Sequence, residues 1–149
     1  MPAAQLVGRG TLSWFGFEAY DAQLWAPPGF RAGEFARQPF ALELRYARSF
    51  KGADIAARSI EEMRRAGRFS SEQAQRWERA LRELLPDVKP GDRIAGVHRP
   101  GRGAAFLVNG RSAGEIADPA FAELFFGIWL GPQTSQPSLR AALLGEKRH

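Results

Sequence analysis

Phe40, Leu42, Leu44 and Tyr46 alternate with Ala41, Glu43 and Arg45, the period of two that buries one face of a strand and leaves the other in water. This is the cleanest strand pattern in the chain. Between Gln5 and Ala26, Leu6, Leu12, Trp14, Phe15, Phe17, Tyr20, Leu24 and Trp25 are interspersed with Gly8, Gly10 and Gly16. That pattern predicts two strands, with Gly16 marking the bend or bulge between them, and Pro27-Pro28-Gly29 breaks the second. Helical spacing takes over from Ala53 to Ala66, where Ile55, Ile60 and Met63 stand among charges and Gly67 is placed to stop the helix.

Ser70 and Gln73 fit a capping box in front of a second helix, whose stripe is Trp77, Leu81, Leu84 and Leu85 and which Pro86 closes. Ile94 and Val97, a turn at Pro100-Gly101-Arg102-Gly103, the run Ala104 to Val108 and the hairpin signal Asn109-Gly110 predict a three-stranded meander. Asp118 caps, and Pro119 opens, a helix over Ala120 to Leu130 carrying Phe121, Leu124, Phe125, Ile128 and Trp129, with Gly131 at its end. Ser138 is expected to cap a last short helix bearing Leu139, Leu143 and Leu144. The order ββ-β-αα-βββ-αα, with strands and helices in separate runs, argues an α+β fold in which helices cover one face of a large antiparallel sheet. At 149 residues the chain fits one domain, 1–149, with one core.

Composition removes whole classes of chemistry. With no cysteine there is no disulfide framework, thiolate nucleophile or cysteine-ligated metal. His98 is the one internal histidine, His149 being terminal, too few for a histidine metal site. No cofactor is expected, since nucleophile elbow, P-loop and H-E-x-x-H motifs do not occur, and Gly8-x-Gly10 and Gly101-x-Gly103 lack the rest of a dinucleotide fingerprint. The apolar run Ala120 to Leu130 is too short to span a membrane. The net charge of +5 comes almost wholly from arginine, because Lys51, Lys89 and Lys147 are the only lysines. Those arginines are scattered among acids, so a solvated surface explains them better than a nucleic-acid partner does. Met1 to Gln5 lack the features of a secretory signal.

Leu6-Val7-Gly8-Arg9-Gly10, then Phe17 to Trp25, then Gly91-Asp92-Arg93-Ile94, Val108-Asn109-Gly110, Phe126 to Gly131 and Leu143-Leu144-Gly145 follow one another in order and at characteristic spacing. Together they resemble the chalcone isomerase-like family in its bacterial branch. The resemblance implies an open-faced sandwich of sheet and helices, with the ligand cleft of those members that have one lying between the layers. In plant chalcone isomerases an arginine on the first strand binds a developing oxyanion, and in fatty-acid-binding relatives it grips a carboxylate. Leu12 stands at that position here and supplies no charge. The family's active-site Tyr and Asn fall around Gly52 to Ser59, where neither occurs, and Ser59 is the one partial substitute for the amide. Bacterial members commonly carry a secretion signal, which implies a periplasmic protein if a leader precedes this sequence and a cytoplasmic one otherwise.

The candidate ligand-binding residues are therefore Leu12, Tyr20, Tyr46 and Ser59, with no catalytic or metal residue assigned. Tyr46 shares the parity of Phe40, Leu42 and Leu44 and should face the helices, as core packing or as the polar handle of an apolar cavity; Tyr20 is similar. Arg9 has the opposite parity to Leu12 and is expected in solvent unless a bulge intervenes. Glu61 and Glu62 beside Arg64 and Arg65 read as surface pairs. Trp14, Trp25, Trp77 and Trp129 are spaced for the core. The reading is a non-catalytic protein holding a small hydrophobic ligand between sheet and helices. Two alternatives stand beside it, a closed core whose basic surface engages a protein or anion, and an isomerase relocated to Tyr46 and Ser59. A cavity above about 300 Å³ weakens the closed core.

Overall fold

Parity decides which side of each strand is buried. In the computed structural model, which describes residues 4–14 and 16–146, the strands are β1 (Gln5–Trp14), β2 (Phe17–Ala26), β3 (Phe40–Tyr46), β4 (Arg93–Arg99), β5 (Gly103–Val108) and β6 (Arg111–Ile116). They pair antiparallel with their sequence neighbours in one sheet, ordered β1-β2-β3-β4-β5-β6. Tyr20, Ala22, Leu24 and Ala26 of β2 lie on one face with Phe40, Leu42, Leu44 and Tyr46 of β3, Ile94 and His98 of β4, and Ala104 and Phe106 of β5, all buried. Asp21 and Arg45 stand on the other face, exposed.

Helices α1 (Gly52–Ala66), α2 (Ser71–Leu84), α3 (Pro119–Leu130) and α4 (Pro137–Leu143) cover the buried face. The fold is therefore α+β, an antiparallel sheet with its helical layer on one side. Ser70 and Gln73 form the full capping box of α2. Asp118 accepts from the Ala120 and Phe121 amides at the start of α3 and also from Trp77 Nε1 at 3.0 Å, which ties α2 to α3. Asn109 (φ 51°) and Gly110 (φ 82°) turn β5 into β6, and Gly16 (φ 81°) sits in the turn between β1 and β2. Those positive φ angles are what such tight connections require. Gly8 and Gly10 serve α4 differently: a Cβ on Gly8 would run into the Ala142 carbonyl oxygen, so the helix lies directly on the strand.

Several expectations are corrected. Trp25 is 36% exposed, because an odd-numbered residue of β2 points away from the helices; Trp77 and Trp129 are buried as expected, while Phe15 and the side chain of Trp14 lie outside what the structure describes, as does His149. Ser138 is not the cap of α4. The helix begins at Pro137 with Gln136 in the capping position and no side-chain cap, since a proline in the first turn needs no amide partner. Gly67 and Gly131 do end α1 and α3, but in extended rather than left-handed backbone. A 3₁₀ segment over Ala32–Arg37 has no counterpart in the sequence reading. The bulges of β1 fall between Leu6 and Gly8 and between Leu12 and Ser13, not between Arg9 and Leu12, and Arg9 is exposed.

Candidate functional site

Sheet and helices do not close completely on each other. Between them lies a cavity of about 230 Å³, smaller than the roughly 300 Å³ at which drug-sized pockets begin. Its sheet side is Leu12, Tyr20, Leu44, Tyr46, Ile94 and Phe106, and its opposite wall is Phe125, Ile128 and Trp129 of α3. From α1 come Asp54, Ile55, Arg58, Ser59 and Glu62, and from the α3–α4 connection Ser135 and Gln136. Leu12, Tyr20, Tyr46 and Ser59 are thus brought to one cavity from β1, β2, β3 and α1.

The geometry at each differs. Leu12 and Tyr20 are directly opposite across the β1–β2 ladder, as Tyr20 and Tyr46 are across β2–β3. The two phenol rings meet edge to face with centroids 5.6 Å apart. Tyr20 is 7% exposed and its hydroxyl accepts a 2.9 Å bond from Trp129 Nε1. Tyr46 is 5% exposed, and among the described residues nothing hydrogen-bonds its hydroxyl, which is not sealed from the cavity either. Burial pushes the Tyr20 phenol up to about 12; the Trp129 bond opposes the rise, Glu62 adds to it and Arg58 counters it. Burial raises Tyr46 too, with Tyr20 as the smaller cause. Both phenols are neutral hydrogen-bond donors at physiological pH. Ser59 lines the cavity but donates to the Ile55 carbonyl at 2.8 Å, so its proton is not offered to a ligand.

Charge enters from α1. Arg58 Nη2 lies 3.3 Å from Glu62 Oε1, with the arginine side chain 47% and the glutamate 15% exposed. The same carboxylate meets Arg65 Nε at 3.7 Å and accepts from Ser135 Oγ at 3.0 Å. Glu62 thus keeps the expected pair with Arg65 at the surface and, in addition, is a half-buried carboxylate on the cavity wall. The signal was present as spacing: Asp54, Arg58 and Glu62 recur every fourth residue beside Ile55 and Ser59, one continuous helix face. Trp129, read as packing alone, is also a donor on that wall.

Among the described residues no group of three or more His, Asp or Glu side chains gathers as a metal site, and no helix is long and apolar enough to cross a membrane.

Comparison with known proteins places this architecture. The crystal structure of a fatty-acid binding protein from Arabidopsis thaliana superposes with a TM-score of 0.74 over 95% of this chain and 87% of that one, at 13% identity. At that identity the likeness is one of fold. An uncharacterised protein of Haemophilus influenzae is 26% identical over 145 residues, 97% of this chain and 69% of that protein. The sequence profile described as chalcone isomerase-like matches residues 3–145, nearly the whole length, and the chain belongs to the chalcone isomerase-like family.

Proposed function

We propose that the protein holds a small hydrophobic ligand, without transforming it, in the cavity between sheet and helices. One observation carries this: an apolar cavity of about 230 Å³ is walled by aromatic and aliphatic side chains with two phenol hydroxyls among them, the mostly apolar lining with few placed polar groups that small-molecule sites share. The Arabidopsis neighbour, described as a fatty-acid binding protein, supports a ligand of that general kind. A relocated isomerase finds less support. Acid–base chemistry needs a group poised near the working pH, whereas both tyrosines are pushed away from ionisation and Ser59 is bonded back to its own helix.

Native mass spectrometry of the protein as purified, followed by organic extraction, tests the proposal. A bound apolar molecule at one per chain supports it. An unliganded mass that does not change on adding medium-chain apolar compounds contradicts it and favours the closed-core alternative, to be pursued by capture of a macromolecular partner at varied salt.

A further inference from the structure

Two phenol protons face the cavity, and among the described residues neither is donated to a hydrogen-bond acceptor. Tyr20 uses its oxygen to accept from Trp129, which leaves its own proton to donate, and the Tyr46 hydroxyl is without a partner among the described residues. The residues are cross-strand neighbours on the same sheet face and at least nine-tenths buried. Leu12, Leu44, Ile94 and Phe106 surround them on the sheet side of the cavity. Hydroxyls that face an otherwise apolar cavity are the few placed polar groups by which such sites orient a ligand.

We infer that the cavity selects ligands whose buried end carries a neutral hydrogen-bond acceptor, a carbonyl or ether oxygen, received by the hydroxyls of Tyr20 and Tyr46; this rests on the ligand-holding reading above. A carboxylate suits the position poorly. Taking an ion out of water is expensive unless a charge meets it, the strand neighbour of Tyr20 is Leu12, and the cavity's arginine, Arg58, is paired with Glu62 on α1. The cavity of about 230 Å³ is partly open to solvent, so the acceptor end of the ligand is enclosed while its far end can project outward. The ligand is therefore a ketone, ester, ether or other neutral carbonyl compound rather than a carboxylic acid.

Three probes of nearly equal size separate the outcomes: octan-2-one, 2-methyloct-1-ene, which replaces the ketone oxygen by a methylene, and octanoate. Dissociation constants are measured for the full chain and for Tyr46→Phe, with thermal unfolding to show that the variant, which keeps its ring, is folded. Octan-2-one is expected to bind about five- to tenfold more tightly than the alkene, with that advantage reduced to less than about twofold in Tyr46→Phe and alkene binding unchanged. Equal binding of ketone and alkene by the wild-type protein, or octanoate as the tightest of the three, overturns the acceptor-oxygen inference while leaving the hydrophobic-ligand reading in place. Failure of all three to bind removes that reading, and the inference with it.

Discussion

Trp129 Nε1 donates to the Tyr20 hydroxyl at 2.9 Å, joining α3 to β2 between residues 109 positions apart in sequence. The bond fixes one wall of the cavity to its sheet side and orients the Tyr20 oxygen, so that the phenol proton is the group left to a ligand. Trp129→Phe keeps an aromatic ring but removes the donor and part of the volume. It is expected to destabilise the protein by about 1–3 kcal/mol, read from urea unfolding; a change below about 0.5 kcal/mol would show that the bond does not hold the layers together.

Tyr20 and Tyr46 are the chain's two tyrosines, so tyrosinate absorbance reports on the cavity alone. Both phenols are raised by burial, Tyr20 to about 12, while in the unfolded chain they ionise near the ordinary value of about 10. Below that value both states are protonated and the stabilisation is whole; above it the unfolded state loses protons that the folded state keeps, so stability falls as pH rises toward the folded values. The absorbance is expected to stay flat through pH about 10 and rise only together with unfolding measured by circular dichroism. A titration centred near pH 10 in the folded protein contradicts the burial of these groups.

His98 gives the opposite limb. It is buried, with Phe40 and Phe126 against its ring, and its Nδ1 donates to the Gln38 carbonyl at 2.7 Å. Burial lowers its pKa, although the Gln38 bond and Glu123 act to raise it. The unfolded histidine takes up its proton near pH 6.5, before the folded one does, so stability is present above that value and is lost as pH falls below it. Tm is expected to drop between pH about 7 and 5, and His98→Gln is expected to flatten that slope. An equal slope in the variant would assign the acid sensitivity elsewhere.

Much of the fold was legible because its strands obey period two and its turns carry their own chemistry. The alternation over Phe40–Tyr46, the Ser70 and Gln73 box and the Asn109-Gly110 turn each specify local geometry without help from the rest of the chain. What was not legible depends on tertiary context. The 3₁₀ segment over Ala32–Arg37 has no buried residue and a non-helical Glu34 in its middle, so it leaves no periodic trace. Parity placed Tyr20 and Tyr46 on the inner face, and family resemblance added Leu12 and Ser59, but whether the space between them was filled depended on how far α1 and α3 stand from the sheet. Glu62 forms the pair with Arg65 that its spacing suggests, but a charge run on a helix gives no sign of the Ser135 loop that folds over it.

A cavity kept for a ligand can be filled without harm to the fold. Leu44 is buried on its sheet side, and Leu44→Phe directs extra volume into the void. Stability is expected to stay within about 1 kcal/mol of wild type or to rise, while probe binding weakens by at least about tenfold. In a fully packed core the same substitution would be destabilising by about 1–3 kcal/mol, and that result would favour the closed-core alternative.

The most direct measurement is a methyl NMR titration of the isotope-labelled protein with octan-2-one. Leu12, Leu44, Ile94 and Ile128 line the cavity, whereas Leu6 is exposed on β1. Saturable shifts at the four cavity residues, with Leu6 unmoved, are the expected result. Shifts confined to surface methyls, or none at concentrations approaching the ketone's solubility, would contradict the claim that the space between sheet and helices is a ligand site.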